Sequence, residues 1–322
     1  MPTVYHRDQP GAPVPTYFTS QNHNAQFQAF KVVVKGCLVS GYTGKPAAGW
    51  ELIAEGTNYL VLRNGSHTGF VCFTWVTGGV VRIYLAETYT GMSGDVMTGD
   101  GLKSGLSVDN ANPHMFPLGF FAFSDALTGW VIIADERTFI LASASTNNAP
   151  GSLDNGLANA NVRTIYIGED SAGTFVACGG DLTGSTSSYV PGFGDCGFTT
   201  LKNPQTGLLV GSGSIAVYTP GLPDLSFNPV APNVPIAEVS LSRAPWLLAA
   251  FHAGYLRGIA LCPQLVFYTY ARIVGRAMGL TFDLSCRTLN TPIPLGDAYS
   301  YFVRVTNWQQ AFFFLTDNPD FW

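Results

Sequence analysis

Apolar residues near the start of the chain recur at the spacing of an amphipathic helix. Between residues 24 and 41 these positions are Phe27, Phe30, Val34, Cys37 and Leu38. Intervals of three and four residues place them on one face of a helix. Asn24 is a candidate N-cap, and Gly41 is a candidate helix end. Three consecutive valines favour a strand instead, because β-branched side chains lose rotamer freedom in a helix, but the spacing is the stronger signal.

From residue 49 onward, short runs of strand-favouring residues alternate with Gly, Asn and Thr. The runs WELIAE, YLVLR, FVCFTWV and VVRIYLAETY predict a four-stranded meander. Later runs predict further strands: LGFFAF, TGWVIIA, RTFILAS, RTIYIGE, GTFVACGG, IAVYTP, AEVSLS, LVFYTYARIVG, MGLTFDLSCRTL, AYSYFVRVT and QQAFFFLTDNPDFW. The run PWLLAAFHAGYLRG is compatible with a short helix or with two short strands. The predicted fold class is therefore mainly β, an antiparallel meander or sandwich with one early α-helix.

Polar and proline-rich stretches divide the chain into four parts. Residues 1–23 carry four prolines and predict an extended N-terminal arm rather than a packed element. Residues 24–145 contain the helix and the meander, and residues 146–225 form a loop-rich β extension. Residues 226–322 form a C-terminal β region that packs on the preceding part. Two long polar loops, at 90–114 and 145–162, are of the kind that covers a sheet edge or binds a partner.

The composition indicates a packed chain with an unusually uncharged surface. Of its 322 residues, 47% are hydrophobic and 11% are charged, with a formal net charge of −5, whereas soluble domains carry about 25% charged residues. So much apolar surface argues against disorder. A surface this poor in charge is either buried against copies of the chain and other partners, or rich in Ser, Thr, Asn and Gly.

The sequence also argues against several locations and partners. Its longest apolar runs, near residues 244–251 and 311–315, are far shorter than the roughly 20 residues of a membrane-spanning helix. The first residues lack the apolar core of a secretion signal, so we expect synthesis in a cytoplasm. The 16 basic residues are scattered and outline no nucleic-acid-binding face. The cysteines lack the short spacing of zinc ligands and are interpreted as buried free thiols; they are Cys37, Cys72, Cys178, Cys196, Cys262 and Cys286.

The stretch GYTGKPAAGW places a glycine–lysine pair after an apolar run, as in a phosphate-binding loop. Such a loop requires the pattern G-x-x-x-x-G-K-[ST]. Here Val39 occupies the position of the first glycine, and Pro46 occupies that of the hydroxyl residue. Proline has neither a hydroxyl nor an N–H to offer a phosphate. We therefore predict a turn, with Lys45 facing solvent or a neighbouring chain and Trp50 buried at the start of the first strand.

Motifs for catalysis are weak throughout. The sequence has no G-x-S-x-G elbow. His252 lies in the apolar run AAFHAGY and is interpreted as a core histidine, and Cys196 lacks a thiol-nucleophile signature. A turn at a strand end accounts for the acidic pair Asp135 and Glu136. We therefore predict a protein without catalytic residues.

Motifs for metals, cofactors and glycans are equally weak. Asp95 and Asp100 lie in a glycine-rich loop, but their spacing is not that of a calcium loop. The sequon that begins at Asn64 predicts a surface turn. We predict no cofactor and no metal site.

The chain ends in aromatic residues, which is unusual for a terminus. Burying rings such as those of Phe321 and Trp322 stabilises a structure by about 1.5–3 kcal/mol each. Docking inside the chain is the favoured interpretation, and docking on a partner is the alternative. We predict Tyr5, Pro13, Phe321 and Trp322 as partner-contact residues.

Several short motifs follow one another in a characteristic order. They are Val4-Tyr5-His6, Gly11-Ala12-Pro13, Cys37-Leu38-Val39, Gly41-Tyr42, K-P-A-A-G-W at 45–50, Gly56-Thr57-Asn58, W-x-I-x-x-D-x-R-T-F at 130–139 and Tyr255-Leu256-Arg257-Gly258. In this order they resemble a family of virion structural proteins of tailed bacteriophages. The resemblance is clearest over the first 140 residues, and the loops at 92–116 and 147–161 depart from it.

The resemblance implies a component of the tail, the baseplate or the neck, and it transfers no catalytic residue. We therefore expect a non-enzymatic structural subunit that contacts copies of itself and other virion proteins, and binds neither nucleic acid nor membrane. It would be assembled in the host cytoplasm and located in the virion. Two alternatives stay open. One is a receptor- or glycan-binding module of the tail tip, with Tyr89 and Tyr189 as sugar-stacking candidates, and the other is an envelope-degrading hydrolase.

Overall fold

The computed structural model describes residues 1–13, 23–76, 80–101, 103–104, 115–117, 129–144, 162–179, 198–209, 215–217, 241–248, 251–262, 267–269, 272–277, 280–283, 291–305 and 312–322. This part of the chain is mainly β, with antiparallel sheets and one early helix, so the predicted fold class is confirmed. The strand predicted at LGFFAF, the loop at 147–161, Tyr189, Cys196 and Cys286 lie outside the described residues.

The early helix is confirmed. Helix α1 spans His23–Lys35 and continues into a π-helical turn at Gly36–Ser40. All five of its predicted apolar positions are buried. Asn24 lies within the first turn rather than at the predicted N-cap, because the helix begins at His23. Its side chain accepts a hydrogen bond from Gln28 Nε2 at 3.0 Å. Gly41 ends the segment with φ of 68°, a left-handed conformation that glycine adopts at little cost.

The strands are antiparallel throughout the described sheets. In chain order they are β1 (Thr3–His6), β2 (Glu51–Glu55), β3 (Tyr59–Arg63), β4 (Phe70–Val76), β5 (Val80–Ala86), β6 (Gly91–Ser93), β7 (Val96–Thr98), β8 (Lys103–Ser104), β9 (Met115–Pro117), β10 (Trp130–Ala134), β11 (Thr138–Ala144), β12 (Val162–Glu169), β13 (Phe175–Gly179), β14 (Phe198–Thr200), β15 (Ile215–Val217), β16 (Ser242–Leu248), β17 (Phe251–Cys262), β18 (Phe267–Thr269), β19 (Arg272–Ala277), β20 (Leu280–Asp283), β21 (Tyr301–Val305) and β22 (Phe312–Thr316). A 3-10 helix at Pro319–Phe321 follows the last strand.

Three sheets are stacked in layers. The front sheet has the order β2-β3-β4-β5-β8, with β9 also paired to β5, and contains the predicted meander. The middle sheet has the order β1-β10-β11-β12-β13-β14, and the back sheet has the order β15-β16-β17-β22-β21. The strands β18-β19-β20 form a small sheet, and β6-β7 form a hairpin.

The middle sheet is buried on both faces. In β10, Trp130 and Ile132 pack into a core shared with α1 and the front sheet, whereas Val131 and Ile133 pack into a second core shared with the back sheet. Successive side chains of a strand point to opposite faces, so a strand covered on both sides needs apolar residues at consecutive positions. This requirement explains the unbroken run WVIIA in the sequence.

The described part of the predicted N-terminal arm is packed, which corrects the prediction of an unpacked extended arm: Thr3–His6 forms a strand, and turns follow at residues 7–11. Strand β1 pairs with β10 at the edge of the middle sheet, and Tyr5 is fully buried. Residues 14–22 of the arm lie outside the described residues. The middle sheet also runs across the boundary predicted after residue 145, because β11 pairs with β12. The back sheet, drawn mostly from the C-terminal region, packs on the middle sheet.

The ambiguous run PWLLAAFHAGYLRG forms two paired strands, β16 and β17. Register shifts interrupt the pairing between Arg243 and Ala244 and again between Trp246 and Leu247. Such bulges insert an extra residue into one strand, which erases the alternation that would have identified a strand. Earlier in the chain, Trp50 is 3% exposed, as predicted, and Lys45 is half-buried in its turn.

Candidate functional site

Buried polar side chains cluster at one end of the three stacked sheets. They come from the turn between β3 and β4 (residues 64–69), the turn between β10 and β11 (135–137), the end of β12 with the turn that follows it (169–174), and strand β17. We call this cluster the polar network. It links the front sheet to the middle sheet, and the middle sheet to the back sheet.

An ion pair connects the middle and back sheets. Arg257 of β17 places Nη2 2.6 Å from Asp135 Oδ2 and Nη1 3.1 Å from Asp135 Oδ1. Nη1 also donates to Thr138 Oγ1 at 3.0 Å. The two charged side chains are only 7% and 11% exposed. Asp135 Oδ1 also accepts from the main-chain N–H groups of Arg137 and Thr138. The predicted strand-end turn is therefore present, and its Asp135 also forms an ion pair with Arg257 that was not predicted.

Glu169 connects the front and middle sheets. Its Oε1 accepts hydrogen bonds from Ser66, from Thr68 at 2.7 Å and from Asn64 at 3.3 Å, while Arg137 binds its Oε2. Burial alone would raise the pKa of the Glu169 carboxyl. The donors outweigh this effect and lower the pKa below its usual value, because they favour the charged form.

The surface turn predicted at the sequon is present, but the Asn64 side chain itself is fully buried. Its Nδ2 donates to Ser66 Oγ and Thr68 Oγ1, both at 2.8 Å. Its Oδ1 accepts from the N–H groups of Thr68 and Gly69. The turn itself is exposed at residues 66–68. The buried Asn64 side chain thus holds the turn in its conformation from the interior of the protein, and its amide is inaccessible to solvent.

Asp170 forms a second contact between the middle and back sheets. Its Oδ2 accepts from Trp246 Nε1 at 3.0 Å, and its Oδ1 accepts from the N–H groups of Ala172 and Thr174. Burial raises the pKa of the Asp170 carboxyl despite these donors. A side chain at Gly254 would place its Cβ 1.9 Å from Asp170 Oδ2, so this close approach of the sheets requires glycine.

The arrangement is suited to holding sheets together. Both carboxylate oxygens of Asp135, Glu169 and Asp170 accept hydrogen bonds from the chain itself. Buried polar groups that are satisfied in this way rigidify a structure. Their lone pairs are directed at structural donors, so these carboxylates offer no specific support for the hydrolase alternative.

The C-terminal Trp322 docks within the chain. The Arg257 guanidinium carbon lies 5.1 Å from the centroid of the Trp322 ring, and Trp322 Nε1 donates to Thr316 O at 2.6 Å. Phe321 is half-buried in the short 3-10 helix. The internal docking favoured by the sequence is therefore confirmed for Trp322. Its predicted contact with a partner stays a prediction.

The predicted contact residues of the N-terminal arm lie elsewhere, next to α1. Tyr5 donates its hydroxyl to Pro46 O at 2.8 Å, and burial raises the pKa of Tyr5 to about 12. Pro13 is half-buried and packs against Gly36, where an added Cβ would lie 2.5 Å from Pro13 Cγ. Tyr5 belongs to the core of the front and middle sheets, whereas Trp322 packs on the core of the back sheet. The four residues thus form no single surface.

The other candidate residues have local roles. Asp95 binds Asn58, and Asp100 binds Thr88. Within the described ranges, no three His, Cys, Asp or Glu side chains are grouped closely enough to hold a metal ion. No helix in the described part of the chain is long and apolar enough to cross a membrane.

Further candidate side chains lie in strands or in the core. His252 lies in β17, opposite Leu247. Cys37 and Cys72 are buried free thiols, as predicted. The ring of Tyr89, a proposed sugar-stacking residue, packs on Phe70.

A cleft of about 360 Å³ opens beside the polar network. Its walls include His67, Thr68, Glu87, Thr174, Lys202 and Asn203. Phe175 and Leu201, both nearly buried, supply apolar surface, and Glu87 forms an ion pair with Lys202. The cleft therefore combines hydrogen-bonding groups with little net charge.

Comparisons with protein-family models, with curated proteins and with solved structures found no match for this chain.

Proposed function

We propose that the chain is a non-enzymatic structural subunit of a bacteriophage particle, located in its tail, baseplate or neck. The observation that carries the proposal is the polar network, in which buried charged groups are used to join three sheets. A particle subunit must keep its shape under the forces that neighbouring subunits exert on it. A network that joins all three sheets at one end meets this requirement. The order of short motifs that resembles phage virion structural proteins supports the same proposal.

The surface composition supports assembly with other subunits. Only 11% of the residues are charged, and large apolar side chains such as Leu208 and Leu209 are exposed, at 70% and 46%. A surface of this kind is suited to contact with copies of the chain and with other virion proteins. No catalytic step, nucleic acid or membrane is part of the proposal.

The proposal is tested by following the chain through particle purification. Infectious particles are banded on a density gradient, washed with high salt, and analysed by quantitative mass spectrometry against a known capsid protein. A structural subunit remains in the particle band at a constant ratio to the capsid protein. Loss of the chain from the band during the wash, with infectivity retained, rejects the proposal.

A second candidate function, binding of a host-surface glycan, is favoured by the cleft beside the polar network. Sugar hydroxyls both donate and accept hydrogen bonds. In the cleft, Lys202 offers donors and Glu87 offers acceptors, and the charges of this pair cancel. The test is a glycan array probed with the wild-type chain and with Lys202→Met. Lys35→Met, which removes a comparable lysine from its pair with Glu55, is the matched control. Binding that Lys202→Met abolishes and Lys35→Met retains supports this function, and an array without binding rejects it.

A further inference from the structure

Among the described strands, β1 forms one edge of the middle sheet, and three of its outward-facing main-chain groups already bind Gln9. Arg7 N donates to Trp130 O at 3.3 Å, which continues the pairing of β1 with β10. Main-chain groups of alternate residues in an antiparallel strand point to opposite sides. The N–H and C=O groups of Val4 and His6 therefore face away from β10, towards the open side of the sheet.

The side chain of Gln9 binds two of these outward-facing groups. His6 N donates to Gln9 Oε1 at 3.1 Å, and Gln9 Nε2 donates to Val4 O at 3.2 Å. The main-chain N–H of Gln9 also donates to His6 O at 3.1 Å. Tyr42 holds the amide in place, because its hydroxyl donates to Gln9 Oε1.

These are the bonds that a neighbouring antiparallel strand would make. If β1 paired with β1 of a second copy about a two-fold axis, Val4 of one copy would stand opposite His6 of the other. That pair would form two bonds, from His6 N–H to Val4 C=O and from Val4 N–H to His6 C=O. The Gln9 amide now binds both groups of the first bond. The amide of Gln9 thus takes the place of a missing strand.

Strand β2, an edge strand of the front sheet, is protected in another way. Strand β2 has a register shift between Leu52 and Ala54 and carries Glu51 and Glu55. Bulges and charges are common means of preventing edge-to-edge association. Strand β1, with the sequence TVYH and an uninterrupted register, has neither feature, so its protection depends on Gln9.

We propose that the β1 edge is a latent self-association surface that Gln9 keeps closed, and that the partner it fits is β1 of a second copy. This proposal is independent of the proposed particle role, since it concerns how the isolated chain avoids pairing through its sheet edge. Opening the Gln9 contact would let two middle sheets join into one continuous sheet.

The first test compares the wild-type chain with Gln9→Ala by light scattering coupled to size exclusion, over a hundredfold range of concentration. We expect the mass of Gln9→Ala to rise with concentration to twice the wild-type value, with circular dichroism unchanged. A folded Gln9→Ala variant with the wild-type mass at every concentration overturns the proposal.

The second variant shows whether association uses this edge. Val4→Pro removes an N–H that faces away from β10, so it blocks pairing with a second copy while the bonds to β10 remain. Gln9→Ala combined with Val4→Pro is expected to return to the wild-type mass. If the combined variant still doubles its mass, another surface is responsible and the proposal is wrong.

Hydrogen exchange of the wild-type chain provides a test that does not depend on a variant folding. The proposal requires the His6 amide to exchange slowly, because Gln9 Oε1 accepts its hydrogen bond. Exchange of this amide as fast as that of an open strand edge would overturn the proposal even if Gln9→Ala proved unstable.

Discussion

Arg257 Nη2 and Asp135 Oδ2 lie 2.6 Å apart in a nearly buried ion pair that joins the back sheet to the middle sheet. Arg257→Met leaves the Asp135 carboxylate buried without its counter-charge, and breaking such pairs costs about 3–5 kcal/mol. We expect a loss of this size in the free energy of unfolding, measured by urea denaturation.

The control for this prediction removes both charges. Arg257→Met combined with Asp135→Asn leaves no uncompensated charge, so the double variant should lose less stability than the two single losses added together. Additive losses would mean that the two residues are not energetically coupled, contrary to the geometry.

Gly258 is expected to tolerate no side chain. Its φ is 70°, and an added Cβ would lie 2.5 Å from Trp322 Cζ2. Gly44 has a similar φ of 78° but nothing within 4 Å of an added Cβ. Gly44→Ala should therefore cost only the left-handed strain, about 1–2 kcal/mol, whereas Gly258→Ala should lose a further 1–3 kcal/mol, roughly, from overpacking. Equal losses of Tm in the two variants would show that Trp322 does not fill the space at Gly258.

Trp322 is expected to stabilise the isolated chain. Trp322→Ala removes apolar contact and the Nε1 hydrogen bond to Thr316 O, so we expect a loss of about 1.5–3 kcal/mol in the free energy of unfolding. Trp322→Phe keeps a ring over Arg257 and should lose only about 1 kcal/mol, the net contribution of one hydrogen bond. A Trp322→Ala variant with wild-type stability would indicate that the residue acts only on a partner.

Acid is expected to weaken the link between the front and middle sheets. The pKa of Glu169 in the folded chain lies below the ordinary value of 4.5, so the unfolded chain binds the proton first as the pH falls. The stabilisation is complete above pH 4.5 or so and is lost as the pH falls through the folded pKa. The stability difference between the wild-type chain and Glu169→Gln should therefore shrink over that range, measured by urea denaturation at each pH. A difference that stays constant would contradict this assignment.

Asp170 is expected to change the stability of the chain with pH in the opposite direction to Glu169. Burial raises its pKa in the folded chain above the ordinary value of 3.8, so the folded chain binds the proton first as the pH falls. Its contribution to stability increases as the pH falls towards 3.8 or so and decreases as the pH rises through the folded pKa. The wild-type chain should therefore gain stability relative to Asp170→Asn on acidification, which is the opposite of the Glu169 result.

Helix α1 and the strands of the front meander could be predicted from the sequence because they depend on local patterns. The helical spacing of α1 and the alternating runs of the front meander each involve residues that are only a few positions apart in the sequence. The polar network could not be predicted, since Asp135 and Arg257 are 122 positions apart and Ser66 and Glu169 are 103 apart. Each member alone resembles an ordinary polar residue at a strand end.

A signal for the network was nevertheless present in two motifs. The stretch W-x-I-x-x-D-x-R-T-F contains Asp135, Arg137 and Thr138, and Y-L-R-G contains Arg257 and Gly258. Each motif places a charged residue beside a strongly apolar strand, where an unpaired charge would be costly. Complementary charges in two such motifs suggest that they pair in space, as these do.

The central claim, that the chain is a structural subunit of a phage particle, is tested most directly by a cryo-EM map of the purified particle. The account predicts a density of three stacked sheets, repeated by symmetry in the tail, the baseplate or the neck, into which this chain fits. A map in which every subunit of these regions is assigned to other proteins would contradict the account.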